Sequence, residues 1–410
     1  MRRHISWLRT VICQPAGQRR CLSDARPFCA GDVVLLRQKL NRDASPILSK
    51  PLEPGKRIEG HRGTILHDDI IGKRVRDAVK SLTPRSRRDG TEYRIYTVTL
   101  DEYVRLSRRL VTPIYPADAN LIVNLLDLHP DEEAYSSGEE RLEILEAGTG
   151  HGGLTLHLSR AIHAANSSVR LTRDDGVDVE SAKAQRRAVI HTIDVSPSFS
   201  THAEKIVRGF RNGMYAKNVD FHVGDVSETL EKLRAARKDG DEPFLSHAFL
   251  DLPSADKHLH NVAAALRTDG TLIVFNPSIT QINECAAKVK NEKIGLDLDK
   301  VVELGVNGGS GGREWDVRFV RPRAAQKKSG AHEEEQCLSS DSAEGEAKAL
   351  SDTNSDSTMR VPQTDADQEM SMVCRPKVGE RIIGGGFLGI WKKHRAVKLE
   401  TPSSAASEAT

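Results

Sequence analysis

The sequence predicts an α/β protein whose main domain is a doubly wound, mostly parallel sheet, preceded by a small β-rich domain. Three observations carry this. From residue 142 onward, short apolar runs alternate with helix-length stretches. A glycine-rich turn follows the first of those runs and opens a helical stretch: Glu146-Ala147-Gly148-Thr149-Gly150-His151-Gly152-Gly153. Two acids, Asp194 and Asp225, close the second and third runs, at the strand ends where open α/β sheets bind ligands.

Bulk properties bound the reading. The 410 residues suffice for two or three units of about 150 residues each, and for a sizeable core. A net charge of +2 does not announce a nucleic-acid partner, although acidic segments can mask a local basic surface. No apolar run approaches the roughly 20 residues of a membrane helix. The six cysteines (Cys13, Cys21, Cys29, Cys285, Cys337, Cys374) form no C-x-x-C pair, so neither a disulfide framework nor a metal site is expected.

Residues 1–27 carry Arg2, Arg3, Arg9, Arg19, Arg20 and Arg26 against one acid, Asp24, with Ile5, Trp7, Leu8, Val11 and Ile12 interleaved. This composition fits a mitochondrial transit peptide, or else a disordered basic arm. Arg20-Cys21-Leu22-Ser23 is similar to a matrix-processing site cut after Leu22. Residues 28–98 hold short β-like runs at 32–36, 63–66 and 93–98 between Gly and Pro turns, and predict the β-rich domain. Residues 99–110 read as a helix with Thr99 as N-cap and Glu102 three residues on.

The alternating region then predicts strands at 142–148, 188–194, 219–225, 247–252 and 270–276. Helices are predicted at about 153–165, 198–212, 227–238, 255–267 and 278–292. Residues 166–187 read as a charged, aperiodic insertion. Residues 324–372, rich in Ser, Asp and Glu and nearly free of aromatics, read as disordered. The runs 316–320 and 387–391 are expected to form a β-hairpin interrupted by that tract. The main domain is therefore set at 99–323, with its last strand within 373–396 and a disordered tail at 397–410.

The glycine turn alone is ambiguous, because Gly148, Gly150 and Gly153 also satisfy a dinucleotide fingerprint. Glycines there let backbone turn tightly and approach a ligand. Asp194 can accept hydrogen bonds from ribose hydroxyls. Asp225, in Gly224-Asp225-Val226, can accept from an adenine amino group. Either acid can also be a helix cap. Taken together, turn and acids resemble class I S-adenosylmethionine methyltransferases, doubly wound enzymes with a mostly parallel seven-stranded sheet.

A narrower resemblance runs from about Gly31 to Lys393. Gly31-Asp32-Val33-Val34-Leu35-Leu36-Arg37, His61-Arg62-Gly63 with His67-Asp68-Asp69, Leu100-Asp101-Glu102-Tyr103-Val104 and Ile114-Tyr115-Pro116 resemble the tRNA adenine-N1 methyltransferases acting on the T-loop. Arg313-Glu314-Trp315, Val320-Arg321-Pro322, Arg375-Pro376 and Gly386-Phe387-Leu388 continue the series. The resemblance implies S-adenosyl-L-methionine as cofactor, tRNA as partner and methylation of N1 of adenine-58. It implies that Glu146, Gly148, Thr149, Gly150, His151 and Gly152 hold the methionine part. Asp194 would hold the ribose, Asp225 with Val226 the adenine, and Asp251, in Phe249-Leu250-Asp251-Leu252-Pro253, would act on the target base. Arg105, Arg108, Arg109, Arg313, Arg321 and Arg323 are candidates for phosphate contacts. His61, His67 and Asp68 are expected to fix a turn of the β-domain.

The chain departs from the family pattern at three places. Ser254-Ala255-Asp256 stands where a Pro-Trp pair is usual, Thr112-Pro113 where Gln is common, and His151 where Ser is usual. The resemblance further implies a homotetramer, or a heterotetramer with a non-catalytic homologous subunit. The expected location is the mitochondrial matrix, the alternative nuclear. The competing functions are a methyltransferase on another acceptor, such as a protein carboxylate, and a catalytically silent RNA-binding subunit. The β-domain motifs argue against the first, and the retained glycines and acids against the second.

Overall fold

The computed structural model describes residues 26–41, 44–60, 62–82, 90–130, 141–169, 179–237, 242–305, 315–320, 371–376 and 385–394. The chain divides into two compact units, Met1–Gly311 with Ile382–Thr410, and Gly312–Arg381. Among the described residues no helix is long and apolar enough to cross a membrane.

The first unit opens with the predicted β-rich domain. Its strands are β1 (Val34–Gln38), β2 (Ile47–Leu48), β3 (Arg57–Gly60), β4 (Gly63–Leu66), β5 (Ala78–Lys80) and β6 (Glu92–Thr97). They form a sheet of order β2-β1-β6-β5 and a separate β3-β4 pair. Alternate residues face one small core of Val34, Leu36, Ile65, Val79, Tyr93 and Ile95. His67 and Asp68 do fix a turn: His67 Nδ1 accepts from the Glu53 amide at 2.9 Å, and an Asp68 carboxylate oxygen accepts from the Gly55 amide at 3.0 Å. His61 lies outside the described residues. Arg26 already belongs to the domain, its guanidinium donating to both oxygens of Asp32 at 2.8 and 2.7 Å. Residues 1–25 lie outside the described residues.

Helix α1 (Leu100–Leu106) starts at the predicted capping box: the Glu102 amide donates to Thr99 Oγ1 at 3.2 Å, and the Thr99 amide donates to the Glu102 carboxylate at 3.1 Å. It ends four residues before the expected 110. Ser107 leaves the helix in an extended conformation, and the following segment lies against the glycine turn. Helix α2 (Pro116–Leu126), with Pro at its first turn, was not anticipated. Both helices dock the β-domain on the main sheet: Leu35, Val98, Tyr103 and Val104 share one core with Ile122, Ile144 and Val207. The Tyr103 hydroxyl donates to the Ile206 carbonyl at 2.9 Å.

The main sheet follows the predicted alternation. In chain order it comprises β7 (Leu142–Ala147), α3 (Gly153–Ala161), α4 (Val179–Ala184), β8 (Ala188–Asp194), α5 (Pro197–Gly209), β9 (Val219–Val223), α6 (Val226–Ala235), β10 (Leu245–Leu250), α7 (Leu259–Ala265), β11 (Leu266–Asn276), α8 (Ile279–Asn291) and β12 (Leu296–Leu304). The second unit contributes β13 (Trp315–Val320) and β14 (Ser371–Pro376), and β15 (Gly386–Lys393) returns to the first. The seven-stranded order is β12-β15-β11-β10-β7-β8-β9. β7 to β11 run parallel, while β15 is antiparallel to both β11 and β12. Both faces are covered. Ile144, Ile190, Phe249 and Ile273 face one core; Leu145, Ile193, Leu250 and Val274 face the other.

The structure departs from the expected pattern in four places. The runs 316–320 and 387–391 do not pair with each other. Residues of β13 pair with β14, from Trp315–Pro376 to Val320–Ser371, whereas β15 fills the slot between β11 and β12. Strand β12 was not anticipated: between its buried ends it presents mostly exposed residues, as an edge strand does. The insertion at 166–187 is not wholly irregular, since it contains α4. Residues 321–370, most of the tract expected to be disordered, lie outside the described residues, whereas Ser371 and Met372 open β14. The expected tail at 397–410 also lies outside them.

Candidate active site

The strand order reverses beside β7: the chain proceeds to β8 and β9 on one side and to β10 and β11 on the other. Such a switch point opens a crevice at the C-terminal strand ends. The sequence places its candidates there. Asp251 follows β10, the glycine turn follows β7, Asp194 ends β8 and Asp225 follows β9.

The turn requires glycine. Gly148, Gly150 and Gly152 all have positive φ (92°, 51° and 82°). A Cβ on Gly148 would lie 2.0 Å from the Asp251 carbonyl oxygen, so the two loops flanking the switch point touch backbone to backbone. The Asp251 amide donates to the Ala147 carbonyl at 2.8 Å. On the other side Asp194 braces the turn. One carboxylate oxygen accepts from the Gly150 amide and the other from the Ser196 amide, both at 2.9 Å. A carboxylate has about four acceptor positions, so Asp194 keeps capacity for a ligand.

Several turn residues work inward. The amides of Gly148 and Thr149 donate to the Ile193 carbonyl at 2.9 and 3.2 Å, and that of Gly152 to the Thr149 carbonyl at 2.8 Å. Thr149 Oγ1 pairs with Thr192 Oγ1 at 2.7 Å. Glu146 is fully buried beneath the turn and accepts from Thr155 Oγ1 at 2.6 Å. Burial pushes its carboxyl up to about 7, against the hydrogen bonds from Thr155 and Thr192; the charges of Asp251 and Asp194 add to the rise. Glu146 therefore supports the turn from below. His151 is buried, and neither ring nitrogen has a hydrogen-bond partner among the described residues. Burial, then His202 and Arg109, lower it to about 4 and keep it neutral.

Asp225 is the N-cap of α6, one carboxylate oxygen accepting from Ser227 and Glu228 amides at 2.8 and 3.3 Å. Its other oxygen lies 3.9 Å from His258 Nε2, and the side chain is 43% exposed. Cap and ligand acceptor are thus compatible uses of one carboxylate. Val226 is buried in the core behind it. Asp251 is largely sunk at the head of β10, and burial raises its carboxyl to about 6. The replaced Pro-Trp position forms a tight turn: Ser254 is left-handed (φ 56°), and Ala255–His258 is a 3-10 turn.

Further groups stand at this edge, and the sequence pattern does not single out Val195, Val223 and His258 among them. Val195 (73% exposed) follows Asp194, and Val223 (51% exposed) ends β9. Exposed aliphatics beside two strand-end acids were the available signal. His258 Nδ1 pairs with Ser227 Oγ at 2.9 Å. Val111 lies 3.3 Å from a Cβ built on Gly150, and Pro113 and Ile114 pack against Gly153. Of the candidate phosphate contacts, Arg109 donates to the Arg105 carbonyl at 3.0 Å and lies over the Tyr115 ring. Arg313, Arg321 and Arg323 lie outside the described residues.

No protein-family model matches the chain. It is 30% identical over 268 residues to a Thermus thermophilus protein named tRNA (adenine(58)-N(1))-methyltransferase TrmI, covering 65% of this chain and 82% of that one. It is 23% identical over 231 residues to a Methanocaldococcus jannaschii tRNA (adenine(57)-N(1)/adenine(58)-N(1))-methyltransferase, covering 53% and 70%. In fold it is similar to the tRNA (m1A58) methyltransferase TrmI of Aquifex aeolicus, with a TM-score of 0.50, 16% identity and coverage of 90% and 99%. It is likewise similar to an S-adenosylmethionine-dependent O-methyltransferase of Thermotoga maritima, with a TM-score of 0.52, 16% identity and coverage of 91% and 97%. The two solved structures speak for the class I methyltransferase fold. By its likeness to the Thermus protein over four-fifths of that protein's length, the chain belongs to the family of the tRNA (adenine-58-N1)-methyltransferases.

Proposed function

We propose that this chain transfers a methyl group from S-adenosyl-L-methionine to N1 of the T-loop adenine, adenine-58, of tRNA. The observation that carries the reading is the meeting of the glycine turn with Asp251 across the switch point of a chain in this family.

The crevice fits the cofactor on three counts. The turn has no side chain at Gly148, Gly150 or Gly152 to fill the space above it. Asp194 retains acceptor positions for ribose hydroxyls. Asp225 presents a solvent-facing oxygen for an adenine amine, with Val195 and Val223 as apolar surface beside it. Gly148 to Gly152, His151 included, would hold the methionine part, with Glu146 and Thr149 as braces and Val226 as backing for Asp225. When bound, S-adenosylmethionine supplies an electrophilic methyl sulfonium.

The protein's task is then chiefly placement, since alignment of the reactants is worth several kcal/mol, on the order of 7–11. Methylation of adenine N1 puts positive charge on the base. Asp251, mostly ionised at neutral pH with its carboxyl near 6, accepts a hydrogen bond from the exocyclic amine and stabilises that charge. It is also placed to take the amine proton. The T-loop adenine is buried in folded tRNA and must be flipped out to reach it.

The assembly that accompanies this function is a tetramer, of identical chains or with a non-catalytic homologue. The proposed compartment is the mitochondrial matrix, on the arginine-rich, acid-poor composition of residues 1–27. Light scattering of the purified protein and microscopy of a tagged full-length chain test these two points. The function is tested by incubating the protein with S-adenosylmethionine and two tRNA transcripts, one carrying adenosine and the other guanosine at position 58. Transfer to the first alone is expected. Equal transfer to both would redirect the activity to another acceptor.

A further inference from the structure

A second recess lies beside the crevice. It is an open cleft of about 550 Å³ between the segment after α1, which contributes Arg108 and Leu110, and the first three turns of α5. Ser198, Thr201, His202 and Lys205 line the α5 wall. Their spacing of three, four and seven residues puts them on one helical face. The walls are tied together, for His202 Nε2 lies 2.8 Å from the Arg108 carbonyl oxygen and donates to it. The His202 ring meets that of buried His151 edge-on at 5.9 Å, so the cleft adjoins the glycine turn.

The cleft is chemically one-sided. Among the described residues its lining carries an Arg, a Lys, a His and two hydroxyls, and no carboxylate. The nearest acid along α5, Glu204, is bound to Arg208 at 2.8 Å. The exposed Arg108 and Lys205 side chains enter no ion pair among the described residues. Two like charges held on facing walls without a counter-charge match an anionic ligand. The N-terminus of the 13-residue α5 opens on the same side, with the hydroxyl of Ser198 in its first turn.

We propose that this cleft is a phosphodiester-binding subsite, in which Arg108 and Lys205 clamp the backbone of the RNA strand that delivers the target base. The inference rests on the tRNA-methylating reading above and assigns one of its contacts. Backbone clamping positions a nucleic acid without reading sequence. A clamp adjoining the cofactor turn would hold the flipped nucleotide's strand at the mouth of the crevice. It would also give the short segment between α1 and α2 a double task, closing over Gly150 through Val111 and offering Arg108 to the RNA.

The test is a salt titration of binding. The full-length chain, Arg108→Ala, Lys205→Ala, the double variant and a distant control, Lys290→Ala, are titrated with an unmodified tRNA transcript at several salt concentrations. Each lost phosphate contact lowers the slope of log affinity against log salt by about 1. The double variant is therefore expected to lose about two units of slope, while Lys290→Ala keeps the wild-type slope. The melting-temperature rise on adding S-adenosylmethionine should be the same in all five proteins. Wild-type slope in the double variant overturns the clamp and leaves the tRNA reading standing. No tRNA binding by the wild-type chain overturns both.

Discussion

A strand-end carboxylate can cap a helix, brace a loop or act on a substrate, and Asp225, Asp194 and Asp251 divide these tasks. Asp225 caps α6 and Asp194 braces the glycine turn, each held by backbone amides. Asp251 is half-buried at the head of β10, and desolvation raises its carboxyl to about 6. If the ionised form acts, kcat/KM should fall tenfold per pH unit below about 6 and stay level above it. Asp251→Asn should lower the rate by roughly 10²-fold or more and abolish this acid limb. A pH–rate profile of both proteins reads the difference; an unchanged limb in the variant would assign it elsewhere. Gly148 is the complementary case. In Gly148→Ala the new methyl would lie 2.0 Å from the backbone carbonyl oxygen of Asp251, which cannot swing aside as a side chain would, and the backbone must leave its left-handed conformation. A loss of about 1–3 kcal/mol is expected in urea denaturation, with loss of the melting shift on S-adenosylmethionine.

At the scale of elements, the legible parts were those with a repeating physical signal. The parallel strands are buried on both faces, so their apolar runs stand out, and Thr99 with Glu102 marked the start of α1 from sequence alone. β12 was hidden because an edge strand alternates charges with only two exposed aliphatics, Leu298 and Val301. In α2 the buried face, Asp118, Ala119, Ile122 and Leu126, includes a carboxylate that interrupts the apolar stripe. The partner of β13 lay some 50 residues away along the chain, a distance local pattern does not bridge. The site divided likewise. Asp194, Asp225 and the glycines sat at strand ends and could be read, whereas the cleft joins residues about 90 positions apart and exists only in the fold.

One inter-element contact carries a prediction of its own. Buried Glu143 of β7 accepts from Arg141 at 3.0 Å, from the two terminal Arg237 nitrogens at 3.0 and 2.5 Å, and from His191 of β8 at 2.8 Å. Burial pushes this carboxyl up, but the His191 and Arg237 hydrogen bonds and the Arg141 charge outweigh it and bring it to about 2. A folded value below the unfolded 4.5 means the stabilisation is fully present above pH 4.5 and lost as pH falls through 2. Glu143→Gln should cost about 3 kcal/mol at pH 7, and the gap to wild type should narrow between pH 4.5 and 2. Denaturation at pH 7 and pH 3 measures it; a constant gap would show that packing, not charge, sets the effect.

At the scale of the molecule, the fold brings a β-rich domain, a cofactor crevice and a basic cleft into one unit, with α1 and the segment behind it touching all three. Everything converges on one chemical claim, methylation of adenine-58 with Asp251 beside the base. The most direct measurement is to incubate the full-length protein with labelled S-adenosylmethionine and unmodified tRNA, then map the modified nucleotide by mass spectrometry. Wild type is expected to give 1-methyladenosine at position 58 and Asp251→Ala almost none, with the melting shift on S-adenosylmethionine retained in the variant. Methyl groups on another nucleotide or another ring position, or full activity in Asp251→Ala, would contradict it.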